Sequence, residues 1–136
     1  MTEVAVRTSG LTRRFGPVTA VDSLSLAIPR GIVFGFIGPN GAGKTTTIHL
    51  LLGLLESSSG DASVLGFDLQ SEGDSVRANT GALLEHTGLY ERLSAEDNLE
   101  FYGRVNRIET AARRDRIREL LTRFGLWERR RDRVSA

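Results

Sequence analysis

The chain has no cysteine, one methionine, one tryptophan and three prolines in 136 residues. Without thiols, neither disulfides nor thiolate metal sites can form. The two histidines, His49 and His86, lack the paired spacing of an imidazole metal site. His49 reads as structural within a helix and His86 as a surface residue. No apolar run approaches the roughly 20 residues of a membrane-spanning helix. The first residues carry no apolar leader core, so the expected compartment is the cytosol. Lysine is nearly absent too: of 18 basic residues, 17 are arginine.

What is present fits a soluble globular domain, with 40% apolar and 26% charged residues. A net charge of +1 conceals an asymmetry. Residues 1–100 carry a net −5, whereas residues 101–136 carry 11 arginines and a net +6. No aromatics interleave with these arginines, and Trp127 beside Leu126 reads as packing. The basic end is therefore read as a solvated helical face, and nucleic acid is not an expected partner.

The one lysine, Lys44, lies in Gly38-Pro39-Asn40-Gly41-Ala42-Gly43-Lys44-Thr45-Thr46. This is a full match to the phosphate-binding pattern G-x-x-x-x-G-K-[ST]. Glycines there let successive backbone N–H groups turn inward as an anion nest. A compact ammonium on a flexible stem reaches the β- and γ-phosphates as a point charge, which a planar guanidinium fits poorly. The same pattern places the Thr45 hydroxyl on Mg²⁺ and Thr46 at the α-phosphate. The bland alternative is a surface lysine in a chance match, and the flanks argue against it. Ile32–Ile37 is a short apolar run, predicting a strand buried in a parallel sheet. Ile48, Leu51, Leu52 and Leu55 predict an amphipathic helix starting at about Lys44 or Thr45. Its N-terminal dipole would face the loop.

Elsewhere the pattern predicts antiparallel strands over the first thirty residues and a short strand over 61–66. A further strand over 81–85 ends in Glu85. Ser94 with Asp97 predicts the N-cap of a helix with Leu99, Tyr102 and Val105 on one side. A second helix runs from about Glu109 to Phe124, striped by Ile117, Leu120, Leu121 and Phe124 and capped by Gly125.

Together these residues resemble the ATP-binding domain of ABC transporters, in particular its drug-export branch. The likeness rests on the loop, on Leu11–Gly16 ending in Phe15-Gly16, on Leu54–Gly60 followed by Gly66-Phe67-Asp68, and on Gly81–Glu85 running into Gly88–Ser94 and Glu96–Leu99. The resemblance implies an α/β P-loop NTPase core of ABC type, with N-terminal antiparallel strands and the start of a helical subdomain. The division expected is residues 1–90 as nucleotide-binding core and 91–136 as an incomplete helical part. It implies ATP and Mg²⁺ as cofactors, with Phe15 stacking on adenine and Val21 flanking the adenine and ribose. Gly38, Asn40, Gly41, Ala42, Gly43, Lys44, Thr45 and Thr46 would hold the phosphates. Lys44 and Glu85 would be catalytic, and Thr45 and Glu85 would take the metal. Glu85 stands where most of the family has a glutamine, which adds negative charge beside the γ-phosphate. Gly88-Leu89-Tyr90 would face a transmembrane permease subunit, and a second ATP-binding subunit would close head to tail. The expected place is the inner face of the cell membrane.

Hydrolysis in this family also uses an Asp-Glu pair after four apolar residues, a Leu-Ser-Gly-Gly-Gln-like signature and a later histidine. None occurs in these 136 residues. Asp68 is the nearest imitation, but Leu69 follows it. The chain thus reads as the truncated N-terminal portion of such a domain, the ATP-binding part of an export-transporter ATPase subunit and by itself inactive or nearly so. The alternatives are a non-transport ABC ATPase acting on nucleic acid or ribosomes, and a small P-loop kinase or switch.

Overall fold

A computed structural model describes residues 3–83 and 88–135. It comprises two compact units, Met1–Ala82 and Leu83–Ala136. The first begins with a long hairpin of β1 (Val4–Phe15) and β2 (Val18–Pro29), joined by Gly16-Pro17. Gly16 has φ +56°, the left-handed geometry that a two-residue hairpin loop requires at its first position. The hairpin is irregular, with register shifts between Thr8 and Leu11 and again either side of Arg13. Two buried threonines make these shifts affordable. Thr8 Oγ1 donates to the Leu24 carbonyl (2.9 Å) and accepts from the Leu26 amide (2.9 Å). Thr12 Oγ1 donates to Gly10 O (3.1 Å) and accepts from the Ser23 amide (3.0 Å). Backbone groups that the bulges unpair are thereby satisfied from the side.

Helix α1 (Lys44–Leu51) follows, then β3 (Ser59–Val64), β4 (Phe67–Asp68) and the short α2 (Gly73–Asn79). The sheet is antiparallel with order β2-β1-β3-β4. Leu11, Val21, Leu50 and Ala62 form its buried cluster, with Leu24, Leu55 and Leu69 packed against it. Helix α1 therefore lies on the sheet through Leu50. Its buried residues are Thr47 and Leu50, while Ile48 is 37% exposed, so the face differs from the predicted stripe. Thr47 can be buried because its hydroxyl donates to the Gly43 carbonyl at 2.9 Å.

The run Ile32–Ile37 is not a strand. Among the described residues no backbone partner pairs with it, and Val33 and Ile37 are almost wholly exposed. A strand is defined by its neighbour, and the apolar run has none here. Residues 81–83 likewise form no strand among the described residues, and the rest of that expected strand lies outside them.

The second unit pairs α3 (Ala95–Val105) with α4 (Thr110–Arg123). Ser94 caps α3 as predicted, accepting from the Asp97 amide. The buried residues of α3 are Asn98 and Gly103, whereas Val105 is exposed. Asn98 is buried because its amide is fully used, bonding Tyr90 N, Tyr90 O and Ser94 O at 2.8–3.0 Å. Gly103 gives room to the stem of Arg113, whose Nε donates to Glu100 at 2.8 Å and Nη1 to Ile108 O at 2.6 Å. On α4, Ile117 and Leu121 are buried, but Phe124 is exposed and Gly125 (φ +68°) ends the helix.

The arginine-rich end folds back on α3. The Glu96 amide donates to Arg130 O, and Val134 N to Leu93 O, both at 3.0 Å. Two guanidinium groups lie over the Trp127 ring, with Arg130 Cζ 4.4 Å and Arg118 Cζ 5.4 Å from its centroid. Ion pairs Arg116–Glu119, Arg129–Asp132 and Arg130–Glu96 engage further arginines.

Two expectations follow. Gly60 (φ +80°) sits where a Cβ would overlap the Gly10 backbone. Gly60→Ala therefore costs about 2 kcal/mol or more of first-unit stability, from overpacking plus left-handed strain, read by far-UV circular dichroism in urea. In the second unit, hydrogen bonds from Arg113, then Arg104, hold the Glu100 carboxyl below the ordinary glutamate range. Its contribution is present above the unfolded value, about 4.3, and is lost as pH falls through the lower folded value. Trp127 fluorescence on acid titration should show a shallower stability loss in Glu100→Gln than in the wild type.

Candidate functional site

The loop Gly38–Gly43 leads straight into α1, whose N-cap is Gly43 with φ +82° and ψ +9°. Gly41 is also left-handed, at φ +81°. Only residues without a Cβ enter this region freely, so the glycine spacing selects the loop's path. A weak turn closes it, with the Ala42 amide on Pro39 O at 3.2 Å. Lys44 Nζ crosses back over the loop and donates to the carbonyls of Gly38 and Pro39, both at 2.7 Å. The ammonium is thus held at the mouth of the loop rather than extended into solvent.

What fixes the loop against the sheet is a close backbone approach. A Cβ built on Gly43 would overlap the Ala20 carbonyl oxygen and stand 3.4 Å from Val21 Cγ2. Strand β2 therefore presses on the helix start itself. The two sides flank an open cavity of about 270 Å³ lined by Ala20, Asn40, Gly41, Gly43, Lys44, Thr45 and Thr46. Thr45 is exposed in the first turn of α1 and Thr46 is half-buried beside it. The first-turn N–H groups and the positive end of the helix dipole lie at this cavity, the arrangement that attracts phosphate.

Of the remaining predicted residues, Gly38 and Ala42 shape the loop without lining the cavity. Val21 is buried at 7% exposure within the core cluster, directly beneath Gly43. Phe15 stands at the hairpin tip, 46% exposed and paired across the loop with Val18. Glu85 and His86 lie outside the described residues. Asp68 is spent on a turn, its Oδ1 accepting from Gln70 N, Ser71 N and Ser71 Oγ at 2.8–3.1 Å. The Ser71 amide and hydroxyl hold its carboxyl below the usual carboxylate range.

Two residues escaped the sequence reading. Ala20 matters through its carbonyl, which no residue type reveals. Arg13 lies two residues before Phe15 in β1, hence on the same face, and its Cζ is 4.6 Å from the Phe15 ring centroid. Strand alternation was the available signal. A larger hollow of about 750 Å³ is lined by Leu11, Leu50, Leu55 and Leu69 with Glu72 and Arg77, away from the glycine loop.

A glycine loop, a lysine folded over it and a helix start open to a cavity define a P-loop nucleotide-binding fold. A family model described as ABC transporter matches residues 21–136, and the chain belongs to that family. It is 41% identical over 126 residues to the daunorubicin/doxorubicin resistance ATP-binding protein DrrA of Streptomyces peucetius, covering 93% of this chain and 38% of that protein. It is 38% identical over 124 residues to the probable multidrug ABC transporter ATP-binding protein YbhF of Escherichia coli (strain K12), covering 91% of this chain and 22% of that one. A solved ATP-binding subunit of an ABC transporter superposes with a TM-score of 0.79 at 29% identity, covering 95% of this chain and 53% of its own. The chain thus spans well under half the length of these two curated relatives.

The Ala20–Gly43 approach gives a direct expectation. Gly43→Ala should push α1 off β2, lowering Tm by several degrees. Hydrogen exchange at Thr47 reads the displacement, because its amide bonds Gly43 O at 2.8 Å. Exchange there should quicken by about tenfold or more, the equivalent of about 1.4 kcal/mol of local stability.

Proposed function

We propose that this chain supplies the ATP-binding part of the ATPase subunit of an export transporter, working with a transmembrane permease subunit and a second ATP-binding subunit. The observation that carries the reading is the loop's placement. The glycine loop, the first turn of α1 and Lys44 line one cavity, and β2 meets them there at the Ala20–Gly43 contact. The printed names of the relatives, drug-resistance and multidrug ATP-binding proteins, support export as the task. The basic end does not favour a nucleic-acid role, since several of its arginines are engaged with acids or with Trp127.

In this reading Lys44 exchanges the carbonyls of Gly38 and Pro39 for the β- and γ-phosphate oxygens, so charge meets charge over the loop. Amides of the loop and first helical turn take the remaining oxygens. Thr46 lies at the α-phosphate, and Asn40 and Ala42 complete the loop wall. Val21 acts from below by supporting Gly43. The base reaches the hairpin tip. Val18, the partner of Phe15, is two residues, roughly 7 Å at strand spacing, from the cavity-lining Ala20. Phe15 stacks on adenine there.

Mg²⁺ fits the donors available. Among the described residues no group of three acids or imidazoles gathers to make a protein cage. The exposed Thr45 hydroxyl is a hard oxygen at the loop's end, and Mg²⁺ characteristically takes few protein ligands and completes its shell with phosphates and water. When bound it would neutralise charge developing on the phosphates. Glu85 is the second proposed ligand. The sequence holds no Asp-Glu pair after four apolar residues and no signature, so this chain's own share is binding and positioning rather than water activation. The proposed place is cytoplasmic, peripheral at the membrane's inner face, and no described helix is long and apolar enough to cross a membrane.

Because Lys44 is the sole lysine, the reading has a direct measurement. Amine-reactive labelling should modify Lys44 and the N-terminal amine, and saturating Mg-ATP should protect Lys44 by about tenfold while the N-terminus labels as before. Unchanged labelling of Lys44 at saturation would overturn nucleotide binding by the loop. ATP turnover by the 136-residue chain should stay at the buffer background.

A further inference from the structure

Arg13 and Phe15 share one face of β1, and the guanidinium lies over the ring with Cζ 4.6 Å from its centroid. Cation–π attraction within about 6 Å favours this geometry. The guanidinium is tethered at its other end, where Nη1 donates to the Glu56 carbonyl at 2.8 Å. Glu56 lies just beyond α1, so the hairpin tip is tied to the segment that follows the loop helix. A second bond holds the same junction, from the Arg14 amide to Ser58 Oγ at 3.0 Å. Nε of Arg13 is buried without a hydrogen-bond partner among the described residues, so the ring and the Glu56 carbonyl set where the guanidinium sits. Phe15 nonetheless remains 46% exposed.

We infer that Arg13 is the positioning residue of the base subsite. It occupies one face of Phe15, fixes the ring's rotamer and leaves the opposite face as a platform for a purine. This rests on the reading that Phe15 stacks on the base. A flat aromatic ring at a hairpin tip would otherwise rotate freely, and a stacking partner gains affinity from a platform already fixed. The Glu56 tether also sets the tip relative to α1, so base and phosphates are received at a fixed separation. Arg is suited to this because its planar fork stacks and donates at once, which an ammonium cannot do.

The measurement compares Mg-ATP with Mg-tripolyphosphate, which has the phosphates but no base, by titration calorimetry on the 136-residue chain. The wild type should bind ATP at least about fivefold tighter than tripolyphosphate, and Phe15→Ala should abolish the difference. Arg13→Gln should lose about threefold to fivefold in affinity for ATP and leave tripolyphosphate unchanged. Equal losses for both ligands would mean a purely structural role, and no loss would mean none, so either overturns the inference. If Arg13→Gln does not fold, Arg13→Lys decides. It retains the charge without the planar stack, and should lose about twofold to threefold for ATP alone, whereas equal loss on both ligands overturns the proposal. A wild type that binds both ligands equally overturns the Phe15 reading itself, and is told apart because the base contributes nothing before any substitution.

Discussion

At one point the backbone of β2 meets the start of α1 with no space for a side chain, and the candidate site is organised around that contact. Ala20 presents its carbonyl to Gly43, and a β-carbon there has nowhere to go. The contact lies beside the irregular part of the hairpin. The register shifts flanking Arg13 kink β2, and the buried Thr12 hydroxyl takes up the Ser23 amide where pairing is lost. Beneath the contact, Val21 joins Leu11, Leu50 and Ala62, so the core that stabilises the sheet also braces the loop. Removing any of these supports would be felt at the cavity, which β2, the loop and the first turn of α1 line together.

The two units use polar burial in different ways. In the first, the hydroxyls of Thr8 and Thr12 stand in for missing backbone partners and that of Thr47 bonds its own helix, with little charge involved. In the second, Arg113 enters the notch at Gly103 and pairs with Glu100, and Asn98 closes the turn before α3. Burying a guanidinium is tolerable because its stem packs and its nitrogens are matched by a carboxylate and a carbonyl. The arginine-rich end, which in sequence reads as a solvated helical face, thus contributes one buried arginine to internal structure.

Local chemistry was readable in the sequence and partnership was not. The loop, the start of α1 at Lys44, the Ser94 cap and the Gly125 stop all follow from residue types at fixed spacing. Each is settled within a few residues of backbone. Failures came where burial depends on a distant neighbour. The stripe on α1 pointed to Ile48 and Leu51, but Thr47 and Leu50 are buried, because a hydroxyl that bonds its own helix can go inside at little cost. On α3 the leucine-and-aromatic stripe lost to Asn98 and Gly103 for the same kind of reason. Of the site, the glycines and Lys44 were plain, whereas Ala20 acts through a carbonyl that every residue possesses. Arg13 was visible only through its spacing from Phe15.

The apolar run Ile32–Ile37 carries a consequence for handling the molecule. Six uncharged residues, most of them strong strand formers, present N–H and C=O groups without a backbone partner among the described residues, and nearly bare side chains at Val33 and Ile37. Such a segment is a template onto which an identical segment from another molecule can add, in register and without limit. Pro29 and Arg30 on one side and Pro39 on the other act as gatekeepers that keep the template short. The segment is thus a self-association liability that grows with protein concentration.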